Sequence, residues 1–124
     1  MMHLPLEIGD FSDYSCSKEH NLAAGRIVLG IENLPPAFYH YPIGYTGRTS
    51  SIAASGTPVQ RPWGMYRSSI GDRDVVFAPS EKIDFELEVG CVIGQTVERG
   101  EGCLVEKAED HIFGFVLLND WSGT

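Results

Sequence analysis

Prolines and glycines recur so densely between Leu34 and Gly71 that no long helix can occupy this part of the chain: Pro35, Pro36, Pro42, Gly44, Gly47, Gly56, Pro58, Pro62 and Gly64. A proline lacks the backbone donor a helix interior needs and collides with the preceding turn, and a glycine gives up the most conformational freedom on entering a regular element. The segment therefore predicts short strands joined by loops. Loops held on a rigid scaffold commonly carry function. From Asn33 to Gly71 there is also no Asp or Glu, while Arg48, Arg61 and Arg67 are present, so the segment is +3 in a chain of net charge −8. An anionic ligand could be held there; loops of Gly, Pro and Ser would show the same shortage of acids by composition alone.

Outside this segment the pattern is more regular. Val75–Ala78, Lys82–Ile93 and His111–Leu118 read as strands, Val105–Asp110 as one or two helical turns, and Ile8–Tyr14 as a short approach to a helix over Ser15–Ala24 that stops near Gly25. Arg26–Leu29 continues as a brief apolar stretch. Along Lys82–Val89 the residues alternate, with Ile83, Phe85, Leu87 and Val89 on one face and Lys82, Asp84, Glu86 and Glu88 on the other, which predicts a half-buried strand with its apolar side inward. Like charges on one strand face are unfavourable, and side chains two apart sit roughly 6.5–7 Å apart at their bases, close enough for flexible glutamates to share one ion. A hard divalent cation such as Mg2+ or Ca2+ takes oxygen ligands of this kind. The plainer alternative is a solvated face of an antiparallel sheet.

At 124 residues, with 43% apolar content, no internal repeat and no evident linker, the chain matches one domain, β-rich and of the α+β class. Its acidic balance argues against a nucleic-acid or anionic-membrane partner, which needs a clustered basic surface. Cys16, Cys91 and Cys103 are odd in number and have no C-x-x-C spacing, so neither a disulfide framework nor a zinc site is expected, and a reducing compartment, the cytosol, is the natural setting. The N-terminus has no basic region followed by an apolar stretch. The longest apolar run, Ile112–Leu118, is far shorter than the ~18 residues of a membrane span.

Several side chains could carry chemistry. Asp120 follows the apolar run directly, where a strand emerges into a loop; it suits a ligand role, and an Asn-Asp pair equally suits the start of a turn. Asp13 precedes the predicted helix, where its alternative role is N-cap. His20 lies seven residues on, about two turns away if both are helical, and an imidazole is a candidate general base. Histidines are more often plain surface or core residues. Cys16 and His20 at i, i+4 raise a thiol nucleophile for which no orienting partner is visible. Tyr45 and Arg48, in Gly44-Tyr45-Thr46-Gly47-Arg48, could donate to an anionic substrate. The loop lacks the G-x-x-x-x-G-K-[ST] pattern of a phosphate-binding loop.

Five segments in order carry a resemblance over almost the whole chain: Ile8-Gly9-Asp10-Phe11-Ser12-Asp13-Tyr14 leading to Glu19-His20; Pro42-Ile43-Gly44-Tyr45-Thr46-Gly47-Arg48; Ser55-Gly56-Thr57-Pro58 with Arg61-Pro62; Asp84-Phe85-Glu86-Leu87-Glu88; and His111-Ile112-Phe113-Gly114 through Asn119-Asp120-Trp121-Ser122. Together they resemble the fumarylacetoacetase family. The resemblance implies a mixed β-sandwich roll, with Asp13, Glu86, Glu88 and Asp120 as carboxylate ligands of Ca2+ or Mg2+, His20 as the base that activates water, and Tyr45 as a substrate contact. It implies hydrolysis of the carbon–carbon bond of 4-fumarylacetoacetate to fumarate and acetoacetate, in cytoplasmic tyrosine and phenylalanine catabolism, by a homodimer in the full-length form.

The same resemblance marks departures. Ser15 stands where the family has a tyrosine contacting substrate, so Ser15 is the substrate-side residue here. Leu29 and Gly30 stand where vertebrate relatives have an arginine, with Arg26 the nearest substitute. Family members have an N-terminal domain and continue beyond the Asn-Asp-Trp-Ser motif to residues that hold the leaving group, so the resemblance implies that 1–124 is part of a catalytic domain, cut at both ends, with apolar faces and strand edges left uncovered. Two alternatives stand beside hydrolysis of fumarylacetoacetate: a catalytically inactive remnant that keeps metal binding or subunit association, and a hydrolase or decarboxylase acting on another diketo acid.

Overall fold

The computed structural model of the chain describes residues 2–41, 43–67 and 73–123. Pro42, at the head of the Gly-Tyr loop, and Gly71, at the end of the acid-free segment, lie outside the described residues, as do Met1 and Thr124. Two compact units follow one another along the chain, Met1–Pro58 and Val59–Thr124. Both mix short antiparallel strands with helical turns; helical residues outnumber strand residues in the first unit, and strands predominate in the second.

In the first unit β1 (Ser12–Ser15) pairs with β2 (Ile43–Thr46), in a register that sets Asp13 opposite Tyr45 and Ser15 opposite Ile43. Pairing is extended where the Gly47 N–H donates to the Phe11 carbonyl at 3.1 Å. A Cβ on Gly47 would fall inside the Phe11 ring, so any larger residue here requires that ring to move. A Gly47→Ala variant is accordingly expected to lose about 1–3 kcal/mol of stability through overpacking, read as a lower urea midpoint; an unchanged midpoint would show that the Phe11 ring moves aside freely.

Between these strands lies α1 (Lys18–Ala24), preceded by Ser17, whose Oγ accepts the His20 N–H at 3.2 Å. The α-helix ends at Ala24, beside the predicted stop, but the chain does not turn away there. Gly25 keeps helical dihedrals (φ −57°, ψ −44°) and the chain widens into a π-helical turn over Gly25–Leu29, ending at Gly30 with φ 66°. A glycine terminates a helix by adopting the left-handed conformation. Gly30 does so and Gly25 does not.

The second unit contains three ladders. β3 (Trp63–Tyr66) pairs with β4 (Val76–Pro79), β5 (Ile83–Asp84) with β8 (Ser122–Gly123), and β6 (Leu87–Ile93) with β7 (Ile112–Asn119). A 3-10 turn over Val105–His111 leads into β7, where the sequence predicts a helical turn. Arg61 serves this unit structurally, its guanidinium donating to the Ser80 and Glu81 carbonyls at 2.6 and 3.2 Å. Nearby, partial burial and the adjacent Glu81 carboxylate, within hydrogen-bond reach at 3.4 Å, hold the Tyr66 phenol above its ordinary pKa.

The strand expected over Lys82–Ile93 is met in its pairing: β5–β8 and β6–β7 share one antiparallel register, which Glu86 continues between them by exchanging both backbone hydrogen bonds with Asp120, at 3.0 and 3.1 Å, while the Phe85 N–H turns to the Asp84 Oδ1 at 2.9 Å. Its burial is corrected, because along β6 the covered side is reversed. Leu87, Val89 and Ile93 are 75%, 67% and 62% exposed, whereas Glu88, Gly90 and Val92 are half-buried. The period of two is as read; which side is covered depends on a facing layer, and no hydrophobic side chain is fully buried among the described residues. Phe113, Phe115 and Leu117 of β7 continue the uncovered side at 75%, 65% and 81% exposure.

Candidate active site

Both units contribute residues singled out by the sequence. In the first, Asp13 is half-buried on β1, and the capping role open to it belongs to Ser17 instead. Its seven-residue separation from His20 is not a helical spacing, since Asp13 sits on a strand and His20 on the first turn of α1. Cys16 precedes the cap, so its i, i+4 helical relation to His20 does not exist either. Ser15, His20 and Tyr45 line one open pocket of about 330 Å³, with Val28, Leu29, Ile31 and Ile43 as apolar walls. Ser15 and Tyr45 reach it because β1 and β2 are paired: Ile43 stands opposite Ser15, and Tyr45 follows two residues later on the same face. His20 is exposed, and its backbone, not its ring, is used by the helix cap. The imidazole is therefore available to a ligand without cost to local structure.

Asn21, unremarked in the sequence, fastens this corner. Its amide Nδ2 lies 2.8 Å from the Ser17 carbonyl, 3.2 Å from the Ser15 carbonyl and 3.1 Å from the Ser15 Oγ. Helical propensity disfavours an asparagine at such a position, and that mismatch was the available signal.

In the second unit Glu88 and Asp120 bring carboxylate oxygens to within 4.8 Å of each other. Glu88 is half-buried on β6, and Asp120 follows β7, held by its backbone exchange with Glu86. Two carboxylates so close offer a cation oxygen donors from two elements at once. An oxygen-only donor pair suits a hard ion such as Mg2+ or Ca2+ and not a soft one. Glu86 behaves differently from Glu88 although they are two apart. It is exposed, its Oε1 accepts a short hydrogen bond from the Ser122 hydroxyl, and its N–H also donates to the Asn119 Oδ1 at 3.2 Å. Both lie along one antiparallel register, which sets Glu86 diagonal to Ser122 and Glu88 diagonal to Asp120. Asn119 and Ser122 flank Asp120 in sequence; their polarity beside an acid was the only hint of these contacts.

Comparison with known proteins gives a consistent picture. Residues 11–124 match the family model described as fumarylacetoacetate (FAA) hydrolase C-terminal. The chain is 50% identical over 123 residues to a protein of Dictyostelium discoideum named fumarylacetoacetase, covering 98% of this chain and 29% of the relative. Fumarylacetoacetases of Rattus norvegicus and Homo sapiens are 43% and 41% identical over 122 residues, again with 98% of this chain and 29% of the relative covered. The chain thus spans about 29% of the length of these curated relatives.

Proposed function

This chain belongs to the fumarylacetoacetate (FAA) hydrolase C-terminal family, and from that premise we propose that it carries the base, substrate and metal-ligand residues of a hydrolase cleaving 4-fumarylacetoacetate to fumarate and acetoacetate. The observation that carries this reading is the pocket shared by Ser15, His20 and Tyr45, the three residues assigned to base and substrate contact.

The His20 imidazole takes a proton from water, and the resulting hydroxide adds to the carbonyl beside the scissile bond. As that bond breaks, its electron pair passes to the acetoacetate carbon, which is then protonated, and fumarate leaves as the carboxylate. Tyr45 and Ser15 donate hydrogen bonds to the substrate's oxygens and hold it against the base. Asp13, Glu86, Glu88 and Asp120 are the proposed ligands of Ca2+ or Mg2+. A bound divalent ion supplies Lewis acidity to the diketo oxygens. The close approach of Glu88 and Asp120 supports two of these four assignments.

The finer features implied by the family belong to the same proposal: a β-sandwich roll for the catalytic domain, a homodimeric full-length form, a cytoplasmic setting, and a place in tyrosine and phenylalanine breakdown. Among the described residues no helix is long and apolar enough to cross a membrane. The deciding experiment incubates the protein with 4-fumarylacetoacetate and Mg2+ or Ca2+ and follows release of fumarate and acetoacetate. No release in the presence of either ion would sink the reading. A second substrate, another diketo acid, is favoured by one observation: Ser15 occupies the pocket where the family resemblance places a tyrosine, leaving room for a different acyl chain. Profiling of acylpyruvates in the same assay separates the two.

A further inference from the structure

We propose that Ser122 is a positioning residue for divalent-ion binding, its hydroxyl holding the Glu86 carboxylate beside Asp120 on the strand face that also carries Glu88. The inference rests on the ligand assignments proposed above, which include Glu86, and adds a residue that they do not contain.

The strand register brings these groups together. Ile83 pairs with Gly123, Asp84 with Ser122 and Leu87 with Asn119, and Glu86 continues the series by exchanging both backbone hydrogen bonds with Asp120. Residues opposite each other in such a ladder project to one face, and so do residues two apart along a strand. Glu86, Glu88, Asp120 and Ser122 therefore share a face. The Glu86 backbone is held a third time, since its N–H also donates to the Asn119 Oδ1 at 3.2 Å. These contacts leave only the side chain free to move, and it is exposed and rich in rotamers. Ser122 removes that freedom, because its hydroxyl donates to the Glu86 Oε1. The direction follows from chemistry: an ionised carboxylate only accepts, and the hydroxyl carries the one proton between them.

The donor is itself well fixed. Ser122 is half-buried, and β8 is paired with β5 at this residue. One hydroxyl fills only part of the acceptor capacity of a carboxylate, so the Glu86 Oε2 stays available to a cation while Oε1 is tethered. Hydrogen bonds of this kind orient ligating carboxylates in metal sites, and a side chain fixed beforehand loses less freedom when the ion arrives. Glu86 stands directly across from Asp120, whose carboxylate lies within 4.8 Å of that of Glu88. The tether thus keeps a third hard oxygen donor next to the pair that suits Mg2+ or Ca2+.

The test titrates Mg2+, and separately Ca2+, into the whole chain by calorimetry, comparing the parent with Ser122→Ala, Ser122→Thr, Glu86→Gln and the double variant that joins Ser122→Ala to Glu86→Gln. Ser122→Ala is expected to weaken ion binding by about 10–100-fold, the usual contribution of a group that orients a metal ligand. Ser122→Thr keeps the hydroxyl and should bind within a few-fold of the parent. Glu86→Gln should weaken binding by itself, and adding Ser122→Ala should then cost little more, because the serine acts through that carboxylate. Losses that multiply would give Ser122 a role apart from Glu86; that result, or parental or tighter binding by Ser122→Ala, overturns the inference. Should Ser122→Ala lose its strand signal in circular dichroism, Ser122→Cys, close in shape and a weaker donor, takes its place with the same expected loss. Parental affinity in Glu86→Gln removes Glu86 from the proposed ligands and the inference with it. Weakened binding by Glu86→Gln beside parental binding by Ser122→Ala defeats the inference alone and leaves the ligand reading standing. A parent chain that binds neither ion overturns both.

Discussion

Replacing His20 with alanine is expected to lower turnover of 4-fumarylacetoacetate by about 10²–10⁴-fold, the usual contribution of a positioned general base, while leaving the fold and divalent-ion binding as they are. The separation is predictable from local structure. The helix cap uses the His20 backbone N–H and the Ser17 hydroxyl, so removal of an exposed ring breaks no intramolecular contact of the helix start. Unlike the carboxylates, the imidazole is not among the proposed ion ligands. Steady-state kinetics set beside calorimetric titration of Mg2+ measures both quantities on one preparation. Turnover within a few-fold of the parent would remove His20 as the base, and a matching loss of helical signal would mean that the ring acts through structure.

The second large effect concerns the ion. Glu88→Gln and Asp120→Asn are each expected to weaken Mg2+ or Ca2+ binding on the order of 100-fold or more, since even residues that merely orient metal ligands contribute roughly 10–100-fold. Both substitutions preserve shape and remove one negative charge. They also relieve the repulsion between two carboxylates whose oxygens lie within 4.8 Å, so each variant should be at least as stable as the parent in the absence of divalent ions and gain less from their addition. Thermal midpoints with and without Mg2+ or Ca2+ test this directly. A Glu88→Gln chain with an undiminished ion-induced shift would place the cation elsewhere. Chelation of the parent should abolish fumarate release and restoration of the ion should recover it.

The proposed site is drawn from residue type and order. Five ordered segments named the family and, through it, Asp13, His20, Tyr45, Glu86, Glu88 and Asp120. Local rules were also sound where the governing interaction is local. The strands around Val76–Pro79 and Ile112–Asn119 and the helical turn before the latter lie within a residue or two of the predicted bounds. The α-helix ends at Ala24 as predicted, but a π-helical turn carries the chain on to Leu29, because a glycine marks where a left-handed turn is permitted, not where it is taken.

Alternation and motif order, properties of the chain by itself, determined that Glu88 lies on one side of a strand with Leu87 and Val89 on the other. Tertiary structure alone decided which side is covered, because burial requires a facing layer supplied from elsewhere. It also decided that Glu86 and Glu88, inseparable in sequence, divide between Ser122 and Asp120. The cause is the antiparallel register, in which Glu86 pairs with Asp120 and stands diagonal to Ser122 while Glu88 stands diagonal to Asp120. Asn21 follows the same logic: its composition signals a poor helix former, and only the fold supplies the Ser15 and Ser17 groups that give its amide a purpose.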